Sequence, residues 1–159
     1  MKKRPMHDQG FTLVEMLVTV VIMLVLIAIA VPSYEGITRN SKRQVALRLL
    51  TDIAAKQEAQ RTKTRSYAAT FDPLLGLTGT TLYVASNGTL ATASSDSSIY
   101  RIELRDIVTT SGITRSYSLL ATAVGKQAKD TACASMGLTS SGIKTASGGA
   151  NALKVCWEL

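Results

Sequence analysis

The residue with the clearest chemical assignment is a carboxylate in an apolar setting. Glu15 closes the segment Gly10-Phe11-Thr12-Leu13-Val14-Glu15, which follows a basic leader, Lys2-Lys3-Arg4. Beyond it, from Met16 to Val31, Thr19 is the only polar residue. Counted from Phe11, the stretch is 21 residues long. At about 1.5 Å rise per residue it can cross a bilayer core of about 30 Å as a helix. An acidic side chain at the centre of such a span costs about 2.5–3.5 kcal/mol, and less near its end. A residue kept there at that penalty is expected to have a cationic partner. Charge pairing is therefore the chemistry to look for.

Catalytic chemistry has no comparable support. His7, the one histidine, lies in the basic leader, so no histidine triad or histidine metal site is expected beyond it. The chain has no phosphate-binding loop, no G-x-G-x-x-G and no C-x-x-C. Acidic residues after Glu15 are scattered singly, and Asp96 and Asp130 read as turn or capping residues. The reading is a protein that is not an enzyme, with no cofactor and no metal.

The pattern G-F-T-L-x-E behind a basic leader resembles the class III signal of the type IV pilin family. The resemblance implies cleavage by a prepilin peptidase between Gly10 and Phe11 and N-methylation of the new Phe11 amine. It also implies that Glu15 pairs with the amine of a neighbouring subunit and so sets the register of assembly. Two other readings fit the same stretch. One is a secretory signal cut after Ala28-Ile29-Ala30, although Pro32 just beyond would hinder that cut. The other is a plain single-pass anchor.

The elements that must carry these residues follow from periodicity. After Pro32 a second helical stretch runs from Ser33 to about Lys63, with Val45, Leu49, Ile53 and Ala46, Leu50, Ala54 as adjacent apolar columns. Arg39, Lys42, Arg43, Arg48, Asp52, Lys56 and Glu58 are assigned to the opposite, charged face. Pro32 removes a backbone donor and is expected to kink the helix. From Tyr67 the composition turns to Thr, Ser, Gly and Ala. Tyr100, Ile102 and Leu104 alternate with Arg101, Glu103 and Arg105 as a strand with one buried face, and Tyr117, Leu119 and Ala121 mark another. Ser111-Gly112 suits a hairpin between them, and Asn87-Gly88 another turn. Thr81–Ala85 is a further strand candidate, and the fourth is either Met136–Leu138 or Leu153–Trp157. The segment Ser147–Asn151 reads as a flexible surface stretch.

The expected fold class is α+β and pilin-like: a long kinked N-terminal helix packed on an antiparallel sheet of about four strands, with one disulfide. In parts, 1–10 is a leader that is removed, 11–32 a transmembrane or filament-core helix, and 33–64 its amphipathic continuation. Residues 65–98 form a connecting region, and 99–159 the sheet and disulfide-closed end. Export makes Cys133 and Cys156, the only two cysteines, a disulfide pair. For a loop of that length chain entropy gives roughly 3.5 kcal/mol.

The C-terminal segments around Lys129-Asp130-Thr131-Ala132-Cys133 and Cys156-Trp157 most resemble PilE-type minor pilins. The resemblance implies a minor subunit of a type IV pilus that supports pilus biogenesis and pilus-dependent motility or adhesion. Its implied partners are the prepilin peptidase, other pilin subunits and the assembly machinery. The implied location is the inner membrane, amino terminus cytoplasmic, and then the extracellular pilus. Alternatives are a pilin-shaped DNA-uptake or surface receptor and a type II secretion pseudopilin. The basic helix is read first as a solvated face or a contact to acidic neighbouring subunits, and second as a DNA surface.

Overall fold

The computed structural model describes residues 11–158. Gly10 and the 1–10 leader lie outside the described residues. Helix α1, Leu13–Thr64, runs through two compact units that divide between Thr38 and Arg39.

In the first unit Thr12 caps the helix: its Oγ1 accepts the Glu15 N–H at 3.2 Å. This is the T-x-x-E spacing in which a hydroxyl satisfies one orphan donor of the first turn and an acid faces the positive helix end. The apolar side chains of this stretch are exposed all round, from Leu13 at 80% to Val18 at 48%. No face of it is polar.

The second unit has a core. Along α1 the buried positions are Arg43, Ala46, Leu50, Ile53 and Gln57, alternating three and four residues apart so that they form one stripe. Val45, Leu49 and Ala54 flank it, partly buried. The stripe packs with a six-stranded antiparallel sheet of order β2-β1-β3-β4-β5-β6. Its strands are β1 (Thr81–Ala85), β2 (Leu90–Ala91), β3 (Ser98–Thr110), β4 (Ile113–Ala123), β5 (Ser135–Thr139) and β6 (Lys144–Ser147). The register aligns Leu82, Ile102, Ala121, Met136 and Ala146 in one row across five strands. Four of these five are fully buried, as period-two alternation requires of one face. Fully burying a side chain such as Leu50 or Ile102 contributes about 1.5–3 kcal/mol.

Local signals set the boundaries. Helix α1 ends at Arg65, which takes the left-handed conformation (φ 60°) and donates its N–H to the Arg61 carbonyl at 2.7 Å. Strands β3 and β4 join through Ser111 and Gly112, both at positive φ (54° and 77°), the geometry that matches strand twist in a two-residue hairpin. A short helix α2 (Asp72–Leu75) lies before β1, and α3 (Ala152–Trp157) follows β6.

The sheet therefore has six strands where about four are expected. The two additional strands are β2, only two residues long, and β6, whose Lys-Thr-Ala-Ser sequence has no apolar alternation. Both gain their conformation from pairing at a sheet edge rather than from their own pattern. The open choice for the fourth strand resolves to β5, while Leu153–Trp157 is helical within α3. The Ser147–Asn151 stretch is held closer than its composition suggests. Gly148 packs where an added Cβ would lie 2.6 Å from the Ala132 carbonyl oxygen.

Candidate functional site

Charge is unevenly distributed in the second unit. Residues 39–65 carry eight basic and two acidic side chains, whereas 66–158 carry seven basic and six acidic. The helix thus holds nearly all of the net positive charge. Its two acids are already engaged: Asp52 pairs with Lys56 at 3.2 Å, and Glu58 approaches Arg61 at 3.9 Å and accepts from the Tyr67 hydroxyl at 2.7 Å. Lys42, Arg48, Lys63 and Arg65 have no acidic partner among the described residues. Arg48, Lys63 and Arg65 are exposed.

Beside Arg48 a groove of about 470 Å³ opens between α1 and the turn after β1. Val45, Leu49 and Val84 supply its apolar lining, and Arg48, Asp52 and Asn87 its polar one. The Asn87 Oδ1 accepts the Thr89 N–H at 3.0 Å, which fixes the turn and leaves the side-chain amide hydrogens available. At the far end of the helix, Arg61 lies over the Tyr67 ring, 5.0 Å from its centroid, and donates to its hydroxyl at 2.8 Å. Burial, then the bond to Glu58, raises the Tyr67 pKa. On the sheet, Arg101 pairs with Glu103 at 3.3 Å, so the alternating signs of β3 cancel as its sequence suggests.

Arg43 departs from the sequence expectation. It belongs to the buried stripe and not to the charged face, and its partner is Asp130, which caps the 3-10 turn Gly125–Lys129 as a capping residue should and also turns its carboxylate to Arg43. Nε and Nη2 donate to the two carboxylate oxygens of Asp130 at 2.6 Å each, a planar fork on a carboxylate. Asp130 also accepts from Gln127 Nε2 at 3.0 Å, and both residues are almost fully buried. The bond to Asp130 is the main cause that raises the Arg43 pKa. Nearby Tyr100 is pushed up to about 12, chiefly by burial. The signal that separates Arg43 from Lys42 and Arg48 is its spacing, three residues before Ala46 on the apolar stripe, while the carboxylate that receives it lies far away in the chain.

The remaining residues singled out from sequence fall as follows. Phe11 precedes α1 and is 76% exposed, and Glu15 is exposed in the first turn with no basic partner among the described residues. Pro32 lies inside α1. Cys133 and Cys156 are joined and fully buried.

A long helix packed by its second part on an antiparallel sheet, with a C-terminal disulfide, is the architecture that resemblance to type IV pilins implies. Residues 5–31 match the prokaryotic N-terminal methylation motif, and residues 32–137 match the family described as type IV minor pilin ComP, DNA uptake sequence receptor. The second match covers most of the chain, which therefore belongs to the type IV minor pilin ComP family. No curated protein matches the chain.

Proposed function

We propose that the chain is a minor subunit of a type IV pilus whose second unit binds DNA during uptake. The observation that carries this reading is the family match over residues 32–137, the family being named for a DNA uptake sequence receptor. The concentration of positive charge on residues 39–65 supports it, since phosphate neutralisation dominates the affinity of proteins for DNA. The DNA reading, second on sequence alone, thus becomes the first. Lys42, Arg48, Lys63 and Arg65 supply phosphate contacts. Asn87 and Arg48, at the groove, are residue types that read base edges.

In this reading the leader 1–10 is cut between Gly10 and Phe11, and Phe11 is methylated. Residues 11–32 hold the chain in the inner membrane with the amino terminus cytoplasmic, and Pro32 bends the helix before the amphipathic part, 33–64. Glu15 then neutralises the amine of a neighbouring subunit, which lets an apolar filament interior form. Assembly carries the second unit outside the cell, where the pilus supports motility or adhesion besides uptake.

The test is fluorescence anisotropy of a labelled DNA duplex titrated with the full chain in detergent micelles at several salt concentrations. Affinity should fall with a log–log slope of about −0.9 per phosphate neutralised. Arg48→Ala or Lys63→Ala should each reduce that slope by about one. Binding that is absent, or insensitive to salt and to both substitutions, would leave a pilin without a DNA surface here.

A further inference from the structure

Arg43 touches both arms of the segment that the disulfide closes. Besides its fork on Asp130, Nη1 makes a longer contact to the Val155 carbonyl at 3.4 Å. Asp130 lies three residues before Cys133, whose N–H donates to the Asp130 carbonyl at 3.2 Å, and Val155 immediately precedes Cys156. One helix side chain therefore fixes a point beside each sulfur. The arms also meet through backbone, where the Ala134 N–H donates to the Ser147 carbonyl at 2.8 Å. None of these contacts involves sulfur.

We infer that Arg43 is a positioning residue for formation of the Cys133–Cys156 disulfide, holding the two arms together in the reduced chain. The thiols meet only when both arms are docked. The apparent equilibrium constant for oxidation is therefore the intrinsic one multiplied by the docked fraction. Arg43 raises that fraction by bonding to Asp130 and Val155 at once, from a helix fixed in the core by Ala46 and Leu50. Contacts among the arms, such as Ala134 to Ser147 and the Trp157 Nε1–H to the Thr145 carbonyl, join them to one another but not to the helix, which is what Arg43 adds.

With an oxidant of the disulfide class the step balances as follows. The thiolate of one cysteine attacks a sulfur of glutathione disulfide, forming a mixed disulfide and releasing one glutathione thiolate. The second cysteine thiolate attacks the protein sulfur of that mixed disulfide and releases the other. Two electrons pass to the oxidant, and the two cysteine protons end on two glutathione thiols. Arg43 takes no part in the exchange and acts only on how often the second attack can occur.

The experiment equilibrates the full chain, in detergent micelles, with glutathione redox buffers and reads the oxidised fraction by thiol alkylation and intact mass. Arg43→Met should lower the oxidation constant about tenfold or more, as loss of charged hydrogen bonds implies, and Arg43→Lys by less. An unchanged constant in both variants overturns the inference. A second measurement retains Arg43 and removes the sulfurs. In Cys133→Ser/Cys156→Ser, the Arg43 Nε–H resonance should stay protected from solvent exchange, because docking precedes bonding. Loss of that protection, with or without loss of the sheet, means that the ion pair follows the disulfide and overturns the inference as well.

Discussion

The two parts of α1 bury their side chains by opposite means. From Arg39 onward the helix has one buried stripe, closed by the sheet of its own chain, and its other faces are polar. From Met16 to Val31, Thr19 aside, it is apolar on every side and exposed on every side. An apolar patch of that extent marks a surface that other molecules cover, whether lipid or protein. The second part specifies a fold, and the first specifies an association. Two charged residues mark the same contrast: Arg43 finds its carboxylate within the chain at 2.6 Å, whereas Glu15 has no basic partner among the described residues.

That contrast breaks most sharply at Glu15. With Glu15→Ala, processing between Gly10 and Phe11 should survive, while incorporation into filaments should fall by about tenfold or more, as loss of one partner of a desolvated pair implies. Shearing of surface filaments followed by immunoblot, with the envelope fraction as the processing control, measures it. Normal amounts of sheared mutant protein would mean that the first part associates through apolar contact alone.

Within the second unit the sharper comparison is between the two polar ends of the buried stripe. Arg43 ends it with a charge pair, and Gln57 ends it with a neutral one. The Gln57 amide donates to the Ala68 carbonyl at 3.0 Å and its Oε1 accepts the Ala68 N–H at 2.8 Å, copying a backbone ladder. Gln57→Leu keeps the volume but leaves both Ala68 groups buried without partners. At about 1–3 kcal/mol for each of the two orphaned groups, destabilisation should be about 2–6 kcal/mol, read from urea unfolding of the full chain in detergent. A loss below about 1 kcal/mol would mean that the segment after the helix relaxes to find other partners.

These polar ends also mark where sequence ceases to be informative. Leu50, Ile53, Tyr100, Ile102, Tyr117 and Leu119 are legible because apolar periodicity reports burial directly, and Ser111-Gly112 is legible because its turn demands positive φ. Arg43 and Gln57 are legible only by spacing, since their types favour solvent and only distant partners, Asp130 and Ala68, reverse that preference. Strand β6 escapes for a related reason: a polar edge strand is defined by the neighbour it pairs with. The methylation signal is legible because it is a linear pattern. The groove beside Arg48 is not, because it joins a helix to a turn from a separate part of the chain.

The smallest expected effect compares two ion pairs of the same helix. Lys56 and Asp52, four residues apart, remain 42% and 55% exposed at 3.2 Å, while Arg43 and Asp130 are at 8% and 2%. Water screens the first pair almost completely, so Lys56→Ala should change stability by no more than about 0.5 kcal/mol. The same substitution frees Asp52 next to Arg48 and lowers the positive charge where DNA is proposed to lie. If that proposal holds, Lys56→Ala should weaken duplex binding at low salt while leaving the unfolding midpoint unchanged. A loss of stability of more than about 1 kcal/mol would instead give Lys56 a structural part in the domain. Its effect on duplex binding could then no longer be read as charge alone.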